Sequence, residues 1–191
     1  MEEAGRFDVA EAINAGWTKL FDAGLAWMFA DPKRWPEWRD GPGPEVIEDL
    51  LGEAARASLE RGRAMSAAEL FDLLHEVDVA KARLAVLFER FDAILTPATA
   101  ALPWPAAENH PPVIAGRPVG PRGHAVFTAL GNAAGLAGLS LPTGWVDGLP
   151  TGIQLLARPG GDADLLALGR VFATARPFER RWPLWSEGRL G

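Results

Sequence analysis

The sequence predicts an α/β protein, with a mainly helical region over residues 1–90 and an α/β region over residues 91–191. Three observations carry this reading. Apolar residues recur at three- and four-residue spacing through the first ninety positions, the period of a helix with one buried face. After Phe91 that spacing gives way to short apolar runs bounded by proline and glycine, the pattern of buried strands. The composition, 48% hydrophobic and 23% charged over 191 residues, suits a chain that buries a core.

The first helix is expected over 8–30, where Ile13, Trp17, Leu20, Phe21 and Gly24 share a face. Asp31-Pro32 stops it, because the residue before a proline is pushed out of the helical region. Pro36, Pro42 and Pro44 make 31–44 a loop. A second helix is expected over 45–61 through Val46, Leu50, Leu51, Ala54 and Leu59, ended by Gly62. Ser66 and Glu69 then have the spacing of a capping box, in which each side chain accepts from the other's backbone amide. Behind it Leu70, Val77 and Leu84 repeat every seven residues, and so do Leu73, Ala80 and Leu87. That stripe reads as the core face of one long helix, with a coiled-coil seam as the alternative.

In the second region, Ala93-Ile94-Leu95-Thr96 reads as a buried strand running into Pro97. The seven prolines between 97 and 121 predict a long loop. A helix over Val126–Ala134 follows, then a strand at Gly138–Pro142, a turn through Gly148-Leu149-Pro150, and a strand at 152–157. Both strands are expected to be covered on both faces. Asp162 is placed as the cap of a last helix, to about Ala175.

Charge and composition exclude several function classes. With 19 Lys+Arg against 25 Asp+Glu, the net charge is −6, which disfavours a phosphate backbone as partner. No cysteine is present, so disulfides, thiolate metal sites and a thiol nucleophile are ruled out. No apolar run approaches the ~20 residues of a membrane helix, and the opening residues carry no secretory pattern. The expectation is a soluble, cytoplasmic protein with neither nucleic acid nor membrane as partner.

The chemical motifs are sparse. Ser140 has Gly138 two before it but Pro142 two after it, so it lacks the second glycine of a nucleophile elbow. A triad with His124 and Asp147 can be written, but ordinary strand packing is the better account of Ser140. His75, His110 and His124 show no i, i+4 pairing, so no metal site is expected, and His75 reads as an exposed helix residue. Gly131-Asn132-Ala133-Ala134-Gly135 lacks the Lys-Ser/Thr of a phosphate loop, and no cofactor is expected. Trp35, Trp38 and Trp104 have no basic stripe beside them and read as packing residues rather than a base-stacking platform.

Taken together, residues 91–185 resemble the C-terminal part of the amidase signature family. The segments that carry the resemblance are Phe91–Pro97, Phe127–Leu136, Leu139–Gly144, Asp147–Leu155 and Arg176–Pro183, in that order and spacing. The helical residues 8–90 look like the more variable region that precedes this block. The resemblance implies a mixed, twisted sheet covered by helices and an amide-bond hydrolase acting on carboxylic amides. By position it places Thr96, Trp104, Phe127 and Thr128 on the acyl side of the substrate, with Phe127 as plain core and Thr96 as a strand end for the alternative. It implies no catalytic residue in this chain. The family's Ser–cis-Ser–Lys machinery sits in Lys and Gly/Ser-rich segments that have no counterpart here, and Lys19, Lys33 and Lys81 match none of it. A fragment or subunit, inactive alone and completed by a complementing chain or a homo-oligomer, is therefore expected. The alternative is a non-catalytic interaction module. Two departures bear on substrate. Ala125 stands where glutamine-using members carry an acidic residue, while Trp104 and Trp145 look like the branch acting on apolar or cyclic amides. Ala137 replaces a usual proline.

Overall fold

The computed structural model describes residues 8–31, 34 and 43–178. Lys33, Trp35, Trp38, most of the expected 31–44 loop and the end of the Arg176–Pro183 segment lie outside the described residues. The chain divides into two compact units, 1–83 and 84–191.

In the first unit, helix α1 (Asp8–Phe29) has nearly the expected bounds, but its buried positions are Val9, Ile13, Asp22, Leu25 and Phe29, and Phe21, expected among the shared face, is exposed. The expected 45–61 helix is instead two helices, α2 (Pro44–Leu50) and α3 (Glu53–Ala64). The chain breaks at Leu51, whose backbone is extended at φ −65° and ψ 132°. Glycine at 52 weakens the helix there. The break also turns Ile47 and Leu51 onto a buried cluster of Leu25, Phe29 and Leu59. Arg63 closes α3 back on α2 with a two-pronged bond to Glu48, both prongs 2.7 Å.

Gly62 does not end this helix; it lies inside α3, where α1 crosses. A Cβ at Gly62 would stand 1.9 Å from the carbonyl oxygen of Asp22, so only glycine permits the approach. Beside the crossing, Asp22 is 4% exposed. It accepts from Arg61 Nε at 2.7 Å, from Arg61 Nη2 at 3.1 Å and from the Ser58 hydroxyl. Burial pushes the Asp22 carboxyl up, but the hydrogen bonds from Arg61 and Ser58 and the Arg61 charge outweigh it and hold the group below its ordinary range.

Helix α4 (Ala67–Phe88) begins at the expected capping box. Ser66 N–H donates to Glu69 Oε2 at 2.9 Å and Glu69 N–H donates to Ser66 Oγ at 3.2 Å. Val77, Ala80 and Leu84 of the seven-residue stripe are buried, as a core face requires, and His75 is exposed.

In the second unit, β1 (Ile94–Pro97), β4 (Ala137–Val146) and β5 (Leu149–Ala157) form a sheet in the order β1-β5-β4. Its three strands pair antiparallel throughout. β4 and β5 are joined at Asp147-Gly148, with φ of +51° and +76°, the two-residue turn that suits the twist of a hairpin. Leu149 and Pro150, expected in that turn, are already strand residues. The sheet is not covered equally on both faces. Helix α6 (Asp162–Ala175) packs on one, where Leu165 joins Ala137, Leu155 and Ala157 in a buried cluster. On the other face Gly138, Ser140 and Pro142 are exposed, so β4 alternates as antiparallel strands with one open side do. Helix α5 (Ala129–Ala134) covers that second face at Leu156, where a Cβ on Gly131 would lie 3.0 Å from Leu156 Cδ2.

Three further expectations need correction. The 97–121 stretch contains a small hairpin, β2 (Val113–Ile114) with β3 (Arg117–Pro118), turned at Ala115-Gly116 with positive φ at both. The Val126–Ala134 helix starts only at Ala129, preceded by a 3-10 turn, Gly123–Ala125, because Thr128 ties back to Ala125 through both its amide and its hydroxyl. The cap of α6 is Gly161, with Asp162 in the first turn and no side-chain cap bond.

Candidate functional site

The register of the sheet sets Thr96, Gln154 and Ser140 side by side in one row, on the face away from α6. Gln154 is the joint of this row. Its Nε2 donates to the Phe127 carbonyl at 2.9 Å and to Thr96 Oγ1 at 3.3 Å. One side chain thus brings together two of the four residues that sequence position singles out, β1 and the segment before α5. Thr96 Oγ1 also donates to Pro97 O at 3.0 Å, and Thr128 Oγ1 to Ala125 O at 3.0 Å. Both hydroxyls are held by their own backbone.

Trp104 lies on the loop after β1. That loop is pinned by three bonds, Ala98 N–H to Gly152 O at 3.0 Å, Ala100 N–H to His124 O at 3.0 Å and Thr99 Oγ1 to His124 O at 2.9 Å. The Trp104 indole N–H donates to Glu108 O at 3.0 Å, and the ring tilts onto the His124 imidazole with centroids 4.7 Å apart. Together the loop 99–104, His124 and Pro150–Gly152 enclose a cleft of about 600 Å³. Of the four expected residues Trp104 lines it; Thr96, Phe127 and Thr128 are not among its lining residues. Gln154 is the site residue that sequence reasoning passes over, and His124 is weighed there only as a triad or metal candidate, not as part of a cleft wall. Gln154 has a signal, a lone amide inside the apolar run Ile153–Leu156. His124 has none, since its place depends on bonds from residues 24 and 25 positions earlier.

Other candidates fall away. Asp147 sits at the hairpin tip just past the end of β4, seven residues from Ser140, about 23 Å at roughly 3.3 Å per residue, so Ser140 and Asp147 share no triad. Trp145 stacks on Phe178 at 5.5 Å and does not line the cleft. Among the described residues no group of three or more His, Asp or Glu side chains could hold a metal ion, and no helix is long and apolar enough to cross a membrane.

A family model described as Amidase matches residues 38–166, more than half of the chain. The chain belongs to the amidase family. Among curated relatives it is similar to the A subunit of glutamyl-tRNA(Gln) amidotransferase from Symbiobacterium thermophilum, 35% identical over 102 residues, covering 53% of this chain and 20% of the relative. The corresponding protein of Methylocella silvestris is 41% identical over 95 residues, 49% of this chain and 18% of the relative. Two solved structures share the amidase fold. One is a bacterial aryl acylamidase of the amidase signature family, with TM-score 0.70 and 22% identity, covering 88% of this chain and 34% of that one. The other is a 6-aminohexanoate cyclic dimer hydrolase in complex with substrate, with TM-score 0.69 and 18% identity, covering 91% and 36%. This amidase chain therefore spans about a fifth of the curated relatives it matches and about a third of the structures that share its fold.

Proposed function

We propose that the chain is the C-terminal fragment or subunit of an amide-bond hydrolase acting on carboxylic amides, and that by itself it is inactive. The observation that carries the proposal is the family match over 38–166 in a sequence that lacks a Gly/Ser-rich run and whose last lysine is Lys81. Lys19 is on α1 and Lys81 on α4, the latter within 3.7 Å of Asp78. An amide hydrolase needs an activated nucleophile and a base within hydrogen-bond reach of each other, and the hydroxyls lining the cleft, Thr99 and Thr151, bond to the His124 carbonyl and to Thr143 rather than to the imidazole.

On this reading the chain contributes the acyl-side wall. Trp104 forms it directly, and Gln154 holds Thr96 and Phe127 behind it. A complementing chain, or a second copy, brings the reacting groups. Glutamine is disfavoured as substrate, because Ala125 offers no charge to pair with an ammonium group. The test is an assay of the purified chain on aryl and aliphatic amides, alone and mixed with a chain carrying the Ser–Lys segments of an amidase. No turnover alone and turnover on mixing is the expected pair of results. Turnover by the chain alone that survives Ser140→Ala would overturn the inactive-fragment reading.

A further inference from the structure

We propose that the Trp104–His124 cleft recognises a flat aromatic acyl group bearing a hydrogen-bond acceptor, which takes its bond from His124 Nε2–H. This deepens the amidase reading above, on which it rests for the amide end of the ligand.

The two residues are tied to their surroundings, and their rings pack on each other. His124 is anchored through its carbonyl by Thr99 and Ala100, and Trp104 through its indole N–H by Glu108. The indole donor is thereby committed, leaving the ring face as what Trp104 offers a ligand. A flat ring gains more from such a face than a saturated ring of equal size. The aliphatic side of the cleft comes from Leu102, Pro103 and Pro150, which favour an apolar group over a charged one.

The surroundings of Nδ1 select the tautomer of the imidazole. His124 Nδ1 is buried and has no hydrogen-bond partner among the described residues. A proton there would be a buried donor with nothing to receive it, a worse state than a bare lone pair. The neutral ring therefore carries its proton on Nε2, the nitrogen left to meet a ligand. A ligand that satisfies it must bring an acceptor.

The experiment uses the full chain labelled with nitrogen-15. Long-range nitrogen–proton spectra of imidazoles separate the two tautomers, and the chain has three histidines, so His124→Phe assigns the signal. The free chain should show His124 as the Nε2–H tautomer. In titrations, 4-nitrobenzamide should shift that signal and bind roughly 5- to 10-fold more tightly than benzamide, the worth of one hydrogen bond. Cyclohexanecarboxamide should bind more weakly than benzamide. His124→Phe keeps a flat ring beside Trp104, so it should retain benzamide and lose the preference for the nitro compound. An Nδ1–H tautomer, equal affinities for the two arenes, or a preference that survives His124→Phe would each overturn the proposal. The tautomer and the wild-type titrations stand even if the variant does not fold. None of these readings involves turnover, so a failed mixing assay and a failed binding preference are separately visible.

Discussion

Gln154 uses one amide nitrogen to hold two segments that meet only in the folded chain, the Phe127 carbonyl and the Thr96 hydroxyl. Replacing it with leucine keeps the volume and leaves a half-buried carbonyl without its donor. Gln154→Leu should therefore lower stability by about 1–3 kcal/mol, read by urea unfolding. Gln154→Glu should cost at least as much, since an anion would then face the carbonyl oxygen; a variant as stable as the parent would show that the bridge holds nothing. A second residue-level prediction concerns pH. Asp22 is held below its ordinary range by Arg61 and Ser58, and Glu69 by its hydrogen bonds with the Ser66 amide and hydroxyl. A depressed carboxyl contributes stability that is fully present above its unfolded value, near 4, and is lost as pH falls through the folded one. The fold should thus weaken below about pH 4, and Asp22→Asn should flatten part of that slope. Equal acid midpoints for parent and variant would rule Asp22 out as a contributor. These residues show how far a sequence can be read. Trp104 is visible because its position, in the loop just after the Thr96-Pro97 strand, is one the family resemblance singles out. His124 reads only as a catalytic or metal candidate, because its carbonyl bonds and buried Nδ1 exist only after residues 99–104 have folded against it.

Helices and turns divide by how much of their cause is local. The α4 start is legible because Ser66 and Glu69 are three residues apart and satisfy each other. The β4–β5 hairpin is legible in its position, from Gly148, but not in its bounds, since the positive-φ pair is Asp147-Gly148 and Leu149 and Pro150 already belong to β5. The split between α2 and α3 is not, since the pull on Leu51 comes from Leu25 and Phe29, far off in sequence. Nor is the role of Gly62, which reads as a stop signal until α1 is laid across it. This gives a contrast between two helix glycines. Gly62→Ala drives a Cβ to 1.9 Å from a backbone oxygen, which cannot step aside, so α1 and α3 must separate. Its cost should be about 3 kcal/mol, at the high end for overpacking. Gly169→Ala on α6 meets Leu139 Cδ2 at 2.7 Å, the far end of a side chain that can turn away. That variant should lose less, about 1 kcal/mol or under. Comparable losses in thermal unfolding of the two variants would refute the distinction.

At the level of the whole molecule, the chain matches about a third of the longer solved structures that share its fold. The α/β class is legible from the change of period near Phe91, whereas the open face of the sheet follows from which strands pair. That face shows Gly138, Ser140 and Pro142, while apolar surface remains on α6, where Leu166 is 60% and Val171 66% exposed. Both sheet edges, β1 and β4, are without a further strand among the described residues, and such edges invite association. The purified chain should self-associate or bind a fluorescent apolar-surface probe, and a complementing amidase half should suppress both. Light scattering that reports a monomer with no probe binding would count against the fragment reading.

The backbone ties around the cleft bear on how its specificity can change. Ala100 is bonded to His124, and Val119 N–H returns to Pro112 O to close the small hairpin. The chain after Ala100 thus departs from a fixed point at His124 and runs out to a hairpin closed only on itself. It can be exchanged as a cassette, by inheritance or by grafting, with the supporting sheet left as it is. Trp104 is inside that cassette and His124 is outside it. A lineage could therefore trade its stacking surface for another shape while keeping the hydrogen-bond donor in place, and the two halves of recognition would evolve at different rates.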